Sequence, residues 1–146
     1  MSYITFNYIS SKTQTTEPLI LQYPQPPNTH DVIFAGYTSE TNSYSPLFDN
    51  FGVKIGYVTF NDIVSTLGYN DKIYITENAT YFINGQGSIS YSYSWNSPTI
   101  DTTFPPGTLV ATRIIASTNN YYNKTGPIGI TINEDGTRNV AISFNN

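Results

Sequence analysis

Ile128-Gly129-Ile130-Thr131-Ile132-Asn133 is followed by Glu134-Asp135-Gly136-Thr137 and then by Asn139-Val140-Ala141-Ile142-Ser143-Phe144. Ile128, Ile130 and Ile132 alternate with Gly129, Thr131 and Asn133, and Val140, Ile142 and Phe144 alternate with Asn139, Ala141 and Ser143. Successive side chains of a strand point to opposite faces, so each run is a strand with one apolar face. An Asp-Gly turn between two such runs marks a hairpin, because glycine tolerates the positive φ that the turn requires. The Asn133, Glu134 and Asp135 cluster is therefore read as turn chemistry and not as a metal site.

A second stretch repeats the pattern. In Gly87-Ser88-Ile89-Ser90-Tyr91-Ser92-Tyr93-Ser94-Trp95, four serines occupy one face and Ile89, Tyr91, Tyr93 and Trp95 the other. Further strands are expected at Tyr3–Ile9, Leu19–Tyr23, Asp31–Tyr37, Val53–Phe60, Lys72–Thr76, Thr80–Ile83 and Thr108–Ser117. Asn84-Gly85-Gln86-Gly87, Asn70-Asp71 and Phe104-Pro105-Pro106-Gly107 supply turns between them. The three prolines of Tyr23–Asn28 predict an extended loop, since proline has no amide hydrogen for a sheet ladder. Asn61–Leu67 reads either as a short helix or as a continuation of the strand before it. These elements predict an all-β fold: one domain over residues 1–146, an antiparallel eight-stranded β-barrel or, alternatively, a β-sandwich. Residues 1–17 would form an N-terminal strand or arm.

Composition narrows the functional classes. Of 146 residues, 6 are Lys or Arg and 10 are Asp or Glu, so charge is 11% against the roughly 25% of an average domain. Serine, threonine and asparagine take over the outward faces. Six scattered cations argue against nucleic-acid binding, which relies on clustered Lys and Arg. No cysteine is present, excluding disulfides and thiolate chemistry. No apolar run has bilayer length and the N-terminus lacks a signal-peptide pattern, so no membrane partner is expected and the location reads as cytoplasmic or virion-associated. Without export, the acceptor patterns at Asn78 and Asn123 are read as accidental.

From Leu47 to Phe144 the order of elements resembles the allene oxide cyclase and dirigent-like barrel families. The likeness is carried by Val53-Lys54-Ile55-Gly56-Tyr57, by the glycine-opened strand Gly85–Ser90, by Ala111–Ile115 leading through Tyr121-Tyr122 to Gly126, and by the Asp135-Gly136-Thr137 turn. It implies an eight-stranded barrel, commonly trimeric, able to hold a small apolar ligand. Ser117-Thr118-Asn119-Asn120 departs from the families' glycine-rich turn, and the dirigent disulfide is missing. No catalytic residue transfers position by position.

The residues themselves offer few reactive constellations. His30 is the single histidine and lies beside Asp31, without a nucleophile elbow to serve. No metal-ligand spacing occurs, and no cofactor is expected. Asp49, Asp62, Glu77 and Asp101 read as solvated carboxylates at strand ends. Arg113, within Thr108–Ser117, is expected either to enter the barrel and bind an anionic or carbonyl group, or to pair with an acid at a subunit interface, because arginine keeps its charge when buried. Tyr57, Tyr91, Tyr93 and Trp95 complete the candidate ligand-binding set, as aromatic residues at an interface, a cavity or a sugar-stacking surface. The reading is a homo-oligomeric barrel binding a ligand or partner. Rival readings are a virion structural protein and a cofactor-free cyclase or dirigent-type enzyme that works by positioning its substrate.

Overall fold

The computed structural model describes residues 2–9, 14–15, 19–22, 36–67, 72–97 and 104–145. His30, Asp101, the Tyr23–Asn28 loop and residues 31–35 lie outside them. The chain forms strands β1 (Ser2–Ile9), β2 (Gln14–Thr15), β3 (Leu19–Gln22), β4 (Gly36–Phe48), β5 (Lys54–Leu67), β6 (Lys72–Ile83), β7 (Gly87–Ser97), β8 (Leu109–Arg113), β9 (Ala116–Ser117), β10 (Pro127–Ile132) and β11 (Thr137–Phe144). A single 3-10 turn, Asn119–Tyr121, is the helical element among the described residues. The fold is all-β and barrel-like.

Nine strands follow the order β8-β10-β11-β1-β4-β5-β6-β7-β9, all antiparallel, while β2 and β3 pair with β4. The β10–β11 hairpin has the register its alternation predicts, with Ile128 opposite Ile142 and Ile130 opposite Val140. Its turn is secured by the Gly136 amide on the Asn133 carbonyl (3.1 Å) and by the Thr137 amide on Asp135 Oδ1 (2.9 Å).

The stretch Thr108–Ser117, expected as one strand, is divided at Ile114-Ile115, and this division joins the two ends of the curled sheet. Before the break β8 pairs with β10; after it β9 pairs with β7. At the break itself the Ile114 amide donates to Gly126 O (3.0 Å) and the Ile115 amide to Ser90 O (2.9 Å). Changing partner mid-strand keeps every one of these amides hydrogen-bonded, which matters because an unpaired buried amide is costly. Gly126 (φ +144°) makes the approach feasible, since a Cβ there would collide with the Ser143 carbonyl.

Asn61–Leu67 continues β5, and the two expected strands of Lys72–Ile83 are one. Four long strands, β4 to β7, therefore outrun the shorter β1, β8, β10 and β11 of the curled half-barrel and extend beyond them as a flap. Most of β4 was illegible as a strand because Thr-Ser-Glu-Thr-Asn-Ser lacks apolar alternation. Pro46 also argues against a central strand, yet it falls in the gap between the β2 pairing at Ser43–Tyr44 and the β1 pairing at Phe48.

Inside the wall the inward faces meet as a packed core: Phe6, Leu47, Val58, Tyr81, Ile89, Val110, Ile114, Ile128, Ile130, Val140, Ile142 and Phe144 are all buried. Each such side chain contributes about 1.5–3 kcal/mol through removal from water. Phe6 meets Tyr81 edge-on at 4.8 Å and Phe144 stacks on Tyr121 at 5.5 Å, in the geometries that ring quadrupoles favour.

Candidate functional site

The same alternation that buries the apolar side chains carries four polar ones inward, at the end where the flap leaves the wall. On β5 the inward row is Val58, Phe60, Asp62 and Val64; on β6 it is Ile75, Glu77, Ala79 and Tyr81. Asp62 and Glu77 are register partners across the β5–β6 ladder, and Glu77 is followed on β7 by Tyr93. From the opposite wall, Tyr8 on β1 is the register partner of Arg138 on β11. Glu77 is 2% exposed and Arg138 7%.

These groups are linked. Tyr91 Oη donates to Glu77 Oε2 (2.9 Å), and Arg138 Nη1 reaches Glu77 Oε1 (3.4 Å) and Tyr8 Oη (3.3 Å). The Arg138 guanidinium also lies 5.8, 5.7 and 5.4 Å from the ring centres of Tyr8, Phe60 and Phe104, within cation–π range. Phe104 carries the site outward, packing on Trp95 at 4.6 Å and on Tyr93 at 6.2 Å, with Tyr93 and Trp95 at 5.6 Å. The result is a half-buried layer of three rings against a buried arginine and two carboxyl groups.

Electrostatics set the protonation pattern. Burial, then the negative charge of Glu77, pushes the Asp62 carboxyl up to about 7 from its ordinary 3.8, against the opposing pull of Arg138. A desolvated carboxyl group beside a second negative charge keeps its proton to higher pH. Burial raises Tyr8 to about 12 and holds Tyr81 and Tyr91 well above the usual phenol value. Burial acts against charge on Arg138, but the Tyr8 and Glu77 oxygens outweigh it and keep the guanidinium ionised. Among the described residues, Asp62 Oδ1 and Tyr81 Oη are buried and lack a hydrogen bond of good geometry, their polar neighbours being Glu77 for Asp62 and Tyr8 and Tyr91 for Tyr81.

The expectation of solvated carboxylates at Asp62 and Glu77 is thus corrected: both face the interior, because they share the parity of Phe60 and Ala79. Asp49 instead caps the loop after β4, where Oδ1 accepts from the amides of Phe51 and Val53 (both 2.9 Å). Of the candidate ligand set, Tyr91, Tyr93 and Trp95 come together at this site. Tyr57 stands on the outer face, stacked on Phe82 at 4.8 Å. Arg113 also points outward and is exposed, in one strip with Leu109 and Ile115. The arginine of the interior is Arg138. Its signal was present in the hairpin already quoted, since Arg138 is two residues before Val140 and so shares its face. Among the described residues no group of three metal-ligating side chains occurs, and no helix is long and apolar enough to cross a membrane.

No protein-family model matches the chain, and no curated protein does. The resemblance to allene oxide cyclase and dirigent-like barrels therefore rests on the glycine and turn positions quoted above. Among solved structures, a pyocyanin demethylase is similar in fold, with a TM-score of 0.56 and 15% sequence identity, covering 99% of this chain and 100% of that one.

Proposed function

We propose that this chain is a small-molecule-binding barrel whose site is the Asp62–Glu77–Arg138 cluster, and that it takes a planar aromatic ligand. One observation carries the reading: the buried Glu77–Arg138 pair, with Asp62 Oδ1 buried next to it and accepting no hydrogen bond from an N–H group, adjoins the Tyr93, Trp95 and Phe104 rings through the Glu77–Tyr93 register and the Arg138–Phe104 contact. A ligand N–H or O–H that reached the Asp62 carboxyl would add a hydrogen bond to a buried charged or polar group, the kind that contributes most to binding. The rings supply apolar faces for stacking, and convergent polar groups within an apolar lining are the usual composition of a ligand site. The similar fold of a protein named for pyocyanin supports the choice of an aromatic heterocycle.

Trp95 is the single tryptophan and lies in the site, so its fluorescence is a direct probe. Titration with pyocyanin should give saturable quenching, weakened about tenfold in Asp62→Ala. Quenching that rises linearly, as for free N-acetyltryptophanamide, would overturn the reading.

A second reading is favoured by the titration of Asp62. A carboxyl group that exchanges its proton near neutral pH is suited to general acid–base work, so the site would move a proton on a bound substrate as well as hold it. Turnover of a bound ligand that disappears in Asp62→Asn, with binding retained, would distinguish catalysis from binding alone.

A further inference from the structure

The outer face of the β4–β7 flap carries an ordered array of neutral hydrogen-bonding side chains. Asn42, Asn61 and Asn78 are successive register partners across three strands. Asn61 Nδ2 donates to Asn42 Oδ1 (2.9 Å) and Asn78 Nδ2 to Asn61 Oδ1 (3.4 Å), forming an amide ladder. The neighbouring row is Tyr44, Thr59, Thr80 and Ser90, in which the Thr80 and Ser90 hydroxyls are 2.8 Å apart.

These rows floor a groove of about 420 Å³ that no charged side chain lines. It shares Tyr44 and Thr59 with an adjoining depression of about 580 Å³, bounded by Pro46, Lys54 and Tyr57. Tyr44 and Tyr57 are 47% and 43% exposed, and Tyr57 is held flat by its stack on Phe82 (19° between planes).

From this geometry we infer that the outer face of the flap is a binding groove for a neutral oligosaccharide. Amides and hydroxyls both donate and accept, as sugar hydroxyls do. Their mutual hydrogen bonds fix them before binding, so less side-chain entropy is lost when a ligand arrives. Exposed tyrosine rings give flat apolar surfaces for the C–H faces of pyranose rings. The amide-lined groove has no cation and the adjoining depression has Lys54 alone, too little charge for phosphates or nucleic acids. The Asn42–Asn61–Asn78 amides would lose hydrogen bonds to water under a lipid chain, and a peptide strand would need a free sheet edge, whereas the middle strands of the flap are paired on both sides.

The test titrates the full chain with cellotetraose, maltotetraose and chitotetraose, following the side-chain amide signals of Asn61 and Asn78 by NMR. At least one probe should shift those signals saturably at millimolar concentration, with affinity falling about tenfold in Asn78→Ser and in Tyr44→Ala. Using two surface variants keeps the test decisive if one of them folds poorly. No shift with any of the three sugars, or shifts that persist unchanged in both variants, would overturn the inference. Trp95 quenching by pyocyanin is a separate readout, so failure of the groove and failure of the interior site are distinguishable.

Discussion

Asp62 and Glu77 stand directly opposite each other on β5 and β6, and both turn into the interior of the barrel. Cross-strand partners have Cβ atoms about 4.5–5.5 Å apart, and like charges so placed are destabilising. The pair is retained with the Asp62 carboxyl held up to about 7 and with Arg138 as the counter-charge.

Stability should therefore decline across the neutral range. The folded pKa of Asp62, about 7, lies above its ordinary 3.8, so between these values the folded state binds the extra proton. Its contribution is fully present below about pH 4 and is lost as pH rises through 7. Urea denaturation should show a decrease of about 2 kcal/mol between about pH 5 and about pH 8, and Asp62→Asn should flatten the profile over that window.

Breaking the ion pair should cost more than deleting it. Glu77→Ala leaves the Arg138 guanidinium buried without its carboxylate, a situation that costs about 3–5 kcal/mol. The double variant Glu77→Leu/Arg138→Met should recover most of that loss, because neither charge then has to be desolvated. Denaturant midpoints for the two variants and the parent check the ordering.

Alkaline titration should set three tyrosines apart. Tyr8, Tyr81 and Tyr91 are held above the usual phenol range by burial. Their contribution to stability is present below about pH 10 and is lost as pH rises through the folded values. Phenolate absorbance of these three should rise only in a late, cooperative step that coincides with loss of the β-sheet circular dichroism signal.

Glycine substitutions should differ sharply by position. In Gly126→Ala the added methyl meets the Ser143 carbonyl at a φ of +144° and disturbs the closure that Ile114 makes through Gly126 O. A loss of about 2 kcal/mol or more is expected. At Gly129 nothing lies within 4 Å of the added carbon, so Gly129→Ala should be neutral to slightly stabilising. Thermal unfolding of the two variants gives the comparison.

Much of the wall was legible in the chain because period-two alternation is a local property. The β10–β11 hairpin and the inward row Ile89, Tyr91, Tyr93 and Trp95 follow from it directly. The same rule, carried two residues further, places Arg138 with Val140; applied along β6, it places Glu77 with Tyr81. What local pattern lacks is the pairing between distant strands. Asp62 and Glu77 become partners through the β5–β6 register, and Arg138 reaches them only because β11, β1 and β4 complete the wall between.

The sequence by itself determined an all-β, cysteine-free chain whose neutral Ser, Thr and Asn faces point away from apolar ones, because side-chain parity and composition need no tertiary information. Which polar residues share an enclosed space was decided only by the curl of the sheet. Arg138 shares the parity of Val140 in its strand, whereas the strand of Arg113 is apolar on both faces, so local pattern left the direction of Arg113 open. Arg113 faces out because its parity sets it with Leu109 and Ile115, while Val110 and Ile114 fill the interior. Arg138 faces in because Glu77, Tyr8 and Phe104 converge from three other parts of the chain to compensate its charge.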